Sequence, residues 1–124
     1  MGKSADNDIM DDGFDQLRAD VDKMVVCSQE PTNFTEANST YALADVAMAD
    51  ADFTIADGDV DGRKVTVAAK NAVNVDSSGT ATHLALVDTV ASKLWYVTTV
   101  TSQVLTAGND VDIPSWKITI RDPT

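Results

Sequence analysis

The chain has little of the chemistry that enzymes and metal proteins use: among its 124 residues are one cysteine, Cys27, and one histidine, His83. A single cysteine cannot close a disulfide within the chain, so packing must hold the fold. One cysteine with one histidine is also too few ligands for a structural zinc site. His83 lies in the alternating segment Thr82-His83-Leu84-Ala85-Leu86, where a packed or half-exposed strand residue is expected. It has no evident nucleophile and orienting acid to complete a triad. Basic residues are scarce as well: nine Lys and Arg stand against twenty Asp and Glu, for a net charge of −11. That balance excludes a phosphate-neutralising face, and with it a nucleic-acid role. No apolar run reaches the ~18 residues of a membrane-spanning helix, and mean hydropathy is −0.11. The start, Met1-Gly2-Lys3-Ser4-Ala5-Asp6, lacks the apolar stretch of a secretory signal. It also has Asp6 where a myristoylation motif needs Ser or Thr. No glycine-rich phosphate loop occurs.

What the chain does have is a helical opening followed by strands. Met10, Phe14, Leu17, Val21 and Met24 fall on one helical stripe, while Asp8, Asp11, Asp12, Asp15 and Asp20 take the other face or the start. Asp6 or Asp8 is placed to cap this helix, and acidic residues in its first turn suit the helix dipole. Gly13 weakens it. Two roles fit such a helix: packing on its own domain, or an arm gripping a neighbouring subunit. The expected division is a helix or arm over residues 1–24 and a β-rich domain over 25–124, the whole forming one domain.

Lys23 to Ser28 reads as a short buried strand, closed by Gln29-Glu30-Pro31-Thr32. Thr35 is a candidate cap for a helical turn, and Leu43 to Ala51 reads as a weak or edge strand. Asp52 to Ile55 and Arg63 to Ala69 are strands flanking the turn Asp57-Gly58-Asp59-Val60-Asp61-Gly62. Ala72 to Val75 continues the sheet. Thr80 to Asp88 and Lys93 to Thr101 are expected as long central strands, joined through Asp88 to Ser92. Ala107 to Asp110 is a turn. In the last strand Trp116, Ile118 and Ile120 should face a core, with Lys117, Thr119 and Arg121 facing water. The expected fold class is mainly β, an antiparallel β-sandwich or barrel-like domain preceded by an N-terminal amphipathic α-helix.

Two constellations invite a functional reading. Asp57, Asp59 and Asp61 alternate before Gly62 as in the first half of a calcium loop, where hard oxygen donors wrap a hard cation. The second half departs from that pattern: Ala68 stands where a bidentate glutamate belongs, and a strand follows where a helix should. The expectation is an acidic turn, with a weak calcium site, completed by Asp50 or Asp52 or by a neighbour, as the alternative. Trp95 and Tyr96 are adjacent on a strand and should point to opposite faces, leaving one ring for an intersubunit contact or a glycan platform. Tyr41 and Trp116 are the other large rings considered. Cys27, in an apolar strand, reads as a buried small hydrophobe. The interface candidates are therefore Met10, Phe14, Leu17, Val21, Trp95 and Tyr96, with no catalytic residue and no cofactor expected.

The segments Met24-Val25-Val26-Cys27-Ser28-Gln29-Glu30-Pro31-Thr32 and Tyr41-Ala42-Leu43-Ala44 carry a resemblance. So do Gly79 through Asp88 and the tail Ile113-Pro114-Ser115-Trp116-Lys117-Ile118. Together they resemble small virion-associated structural proteins of tailed bacteriophages and prophages, over most of the chain. The resemblance carries over no catalytic residue. It implies a virion protein, assembled in the bacterial host cytoplasm, that is not an enzyme. The leading expectation is a capsid decoration (cement) protein on the outside of the head. Its partners would be the major capsid protein or other virion proteins and further copies of itself, a trimer being one form, with neither nucleic acid nor membrane. The alternatives are a tail, baseplate or head-fibre component, and a host-surface glycan-binding module.

Overall fold

Continuous apolar runs decide where the strands are deepest. The computed structural model describes residues 7–121. It places Lys23–Cys27 (β1) and Gly79–Asp88 (β6) as the inner strands of a four-stranded sheet in the order β2-β1-β6-β7. Their partners are Ala42–Ala47 (β2) and Lys93–Leu105 (β7). Val25, Cys27, Ala85 and Val87, all fully buried, form one cluster with Ala37, against which Phe34, Tyr41, Ala42, Leu94 and Val97 pack. Met24, Val26, Leu84 and Leu86 alternate with them in sequence, so they point to the opposite face, and they are buried too. A strand covered on both faces needs apolar side chains at every position, which is why Met24 to Cys27 and Leu84 to Val87 are unbroken apolar runs.

The chain divides into two compact units. The larger holds this sheet together with a two-stranded sheet of Lys70–Asn74 (β5) and Asp110–Ile113 (β8), which buries Val73, Val111 and Ile113. The smaller holds the helix Asn7–Asp20 (α1) and a three-stranded sheet in the order β3-β4-β9. Its strands are Phe53–Asp57 (β3), Arg63–Val67 (β4) and Trp116–Ile120 (β9). In this unit α1 packs against β3 and β4, burying Phe14 and Leu17. Asp12, Gly13, Asp15 and Gln16 remain exposed, which makes the helix amphipathic.

Every strand pair is antiparallel, so the chain is mainly β, as expected. Among the described residues no sheet closes into a barrel: β2 and β7 are the outer strands of the four-stranded sheet and do not pair with each other. Several local expectations are corrected. The helix ends at Asp20, and Met24 of the expected stripe belongs to β1. The strand β7 lies at an edge; its Thr-rich sequence lacks the continuous apolar run that a doubly covered strand requires. Ile120 is 39% exposed and Trp116 half-buried, since β9 is an edge strand and Ile120 lies at its end opposite Arg63. The turn Glu36–Thr40 is capped by Asn33, whose Oδ1 accepts from the Glu36 N–H at 2.9 Å; Thr35 makes no capping bond. Of the two capping residues considered, Asp6 lies outside the described residues, and so does the side chain of Asp8.

Candidate functional site

The acidic turn joins β3 to β4. Gly58 N donates to Gly62 O at 2.9 Å, closing the loop. Gly62 has a φ of 70°, and a Cβ there would collide with the Ile120 carbonyl oxygen. Glycine is therefore required for both conformation and space.

Each of the three carboxylates meets a basic side chain. Asp57 Oδ1 accepts from Arg63 Nη1 at 2.7 Å. Asp59 accepts from Lys64 Nζ at 2.6 Å and from Lys117 Nζ, so it joins β4 to β9. Asp61 Oδ1 accepts from Arg121 Nε at 3.0 Å. The hydrogen bond from Lys117, then that from Lys64, pulls the Asp59 carboxyl down to about 2. Arg63 also holds Asp11 on α1, with Nε to Oδ1 at 2.8 Å and Nη2 to Oδ2 at 3.2 Å. The carboxylate of Asp11, then that of Asp57, raises the Arg63 pKa, as Asp61 does for Arg121. In a calcium loop these oxygens converge on one cation. Here they diverge to four basic side chains, and no group of three metal-ligating side chains occurs among the described residues. The turn acts as a clasp between strands and helix. Sequence reading missed this use, because which Lys and Arg reach the turn depends on strand register.

Cys27 and His83 are direct partners across β1 and β6. The thiol is fully buried, donates to Ala37 O at 3.7 Å, and is pushed by burial up to about 11. A thiol held protonated is a poor nucleophile and metal ligand. His83 Nδ1 lies 2.8 Å from Thr82 Oγ1. The structure therefore brings together the sole cysteine and the sole histidine in a setting that suppresses thiolate chemistry.

The interface candidates scatter. Phe14, Leu17 and Val21 are buried within the chain. Met10 lies on α1, and its side chain falls outside the described residues. The alternation expected at Trp95 and Tyr96 breaks, because Val87 pairs Leu94 and Leu86 pairs Tyr96, leaving Trp95 as the extra residue of a bulge. Trp95 is half-buried, with Lys93 Nζ 4.3 Å from its ring centroid, and Tyr96 is 36% exposed. Two hollows among the described residues of the smaller unit are open to solvent. One is lined by Arg18, Asp50, Phe53 and Ile55, the other by Asp59, Asp61, Thr119 and Arg121.

Comparison with protein families, with curated proteins and with solved structures finds no match to this chain.

Proposed function

We propose that the chain is a phage virion structural protein, a decoration protein of the outer head, which works through its surfaces as a sandwich-like β scaffold. The observation that carries this reading is the use made of its reactive groups. The turn carboxylates are spent on clasping strands, and the thiol is buried and protonated. What remains outward is a strongly acidic surface, suited to display in many copies without self-aggregation, together with exposed apolar residues such as Ile9 and Val104. The resemblance to virion-associated proteins supplies the setting. A tail or head-fibre position would use the same scaffold. A glycan platform is less favoured, because Lys93 covers the Trp95 ring.

The burial pattern changes how attachment should be tested. Removing residues 1–24 would strip Phe14, Leu17, Val21 and Met24 from the core, and so would report on folding. Ile9, 71% exposed on α1, is the residue through which the helix can grip a neighbour. Purified chain should co-sediment with expanded heads and raise their heat resistance, and Ile9→Lys should weaken that binding while leaving the melting temperature unchanged. Absence of co-sedimentation with expanded heads would count against the decoration reading.

A further inference from the structure

The connection between β1 and β2 is a long hairpin loop, closed at its base by the pairing of Cys27 with Ala42. Just beyond that pair Ser28 N donates to Tyr41 O at 3.0 Å. The loop folds back over its own sheet and touches β1, β2 and β6 through the π-helical turn Glu36–Thr40. Ala37 in this turn is fully buried among Val25, Cys27, Ala85 and Val87, and Phe34 and Tyr41 pack on the same cluster. All of these residues lie within the larger unit. The loop thus covers part of that unit's core.

A set of hydrogen bonds begins and ends inside the loop. Glu36 N donates to Asn33 Oδ1 at 2.9 Å, Ala37 N to Asn33 O at 3.2 Å, and Tyr41 N to Glu36 O at 2.9 Å. The Glu36 carboxylate ties the two flanks together. Its Oε1 accepts from Thr32 N at 2.8 Å and from Thr32 Oγ1 at 2.6 Å, and its Oε2 from the Tyr41 hydroxyl at 3.4 Å. The bond from the Thr32 hydroxyl, then that from the Thr32 N–H, lowers the Glu36 pKa and keeps the carboxylate charged at neutral pH. Two links run from the loop to β1: Cys27 Sγ donates to Ala37 O at 3.7 Å, and Lys23 Nζ to Asn38 Oδ1 at 2.9 Å. A compact loop held by its own side chains, with few apolar groups inserted in the core, belongs to the low-stability end of a fold.

We infer that residues 28–41 are a strap that opens and closes as one unit while β1, β2 and β6 stay paired, and that Glu36 is its latch. The topology permits this, because the β1–β2 and β1–β6 ladders lie outside the loop. Opening breaks the Ser28–Tyr41 and Lys23–Asn38 bonds and withdraws Ala37 from the cluster. Closed, the strap shields the Cys27 thiol; open, it uncovers that thiol and the apolar side chains beside it. Cys27 therefore reports on the motion. The strap is a device of the fold itself and stands apart from the decoration reading.

The test uses the full-length chain and an aromatic disulfide reagent in excess, with Cys27 labelling followed from buffer up to the foot of the guanidinium unfolding transition. In the lower part of that range the logarithm of the labelling rate should rise with denaturant less steeply than global unfolding does, because the strap exposes less surface than the whole chain. The full global slope down to zero denaturant would overturn the strap. In buffer Glu36→Gln should label about tenfold faster or more, as expected for weakening hydrogen bonds to a charged acceptor. An unchanged rate would overturn the latch. Should that variant fail to fold, hydrogen exchange of the wild type decides. The Ala37 and Tyr41 amides must exchange at least about tenfold faster than those of residues 84–87, and equal protection overturns the inference.

Discussion

Arg63 on β4 donates to Asp11 on α1 through both Nε and Nη2, at 2.8 and 3.2 Å. This pair, with Phe14 and Leu17 buried beside it in the smaller unit, makes the helix part of the fold. Phe14→Ala should therefore destabilise the isolated chain by about 3 kcal/mol or more, as aromatic core truncations do. Denaturant unfolding measures it. A stability unchanged by the substitution would mean that Phe14 serves a neighbour after all.

The Asp59 clasp should shape the acid limb of stability. Its carboxyl is held near 2 by Lys117 and Lys64, below the unfolded value of about 3.9. Its contribution is then full above the unfolded value and lost as pH falls through about 2. The gap in melting temperature between wild type and Asp59→Asn should be widest near neutral pH and close as pH approaches the folded value. A gap constant with pH would contradict the clasp.

Cys27 should be silent to thiol reagents in the native state. Burial has pushed its pKa up to about 11, so at mildly alkaline pH both access and thiolate are lacking. Labelling should be slow in buffer and fast in guanidinium chloride. Rapid native labelling would place the thiol at the surface.

Two backbone positions predict opposite outcomes. Ala72 has a φ of 55° at the irregular step between Lys70 and Val73, its N–H held by Asp112 Oδ1 at 2.8 Å. Left-handed backbone costs an L residue roughly 1–2 kcal/mol, more than the roughly 0.5–1 kcal/mol by which glycine's extra freedom disfavours it. Ala72→Gly should then stabilise by about 0.5 kcal/mol. Gly62→Ala should destabilise by more than about 1 kcal/mol, since strain and collision with Ile120 O add. Thermal melts of the two variants check both signs.

Much of the β architecture was legible because burial writes itself into local pattern. Unbroken apolar runs marked β1 and β6, the alternation Arg63, Val65, Val67 marked β4, and the Asp-Gly turn marked the β3–β4 hairpin. What stayed hidden depends on register or on a single inserted residue. The bulge at Trp95 leaves no trace in composition, so simple alternation does not announce it. Lys117 and Arg121 lie more than fifty residues from the carboxylates they clasp, and nothing local announces such partners. The edge position of β7 follows from strand order, which a Thr-rich segment does not encode alone.

The central claim, work by packing into a phage particle, is tested most directly by copy number. A reconstruction of purified particles of the phage encoding the chain should show it repeated over the outer shell, with α1 towards the capsid. Density confined to one vertex would move it to the tail or connector, and its absence from purified particles would contradict the account.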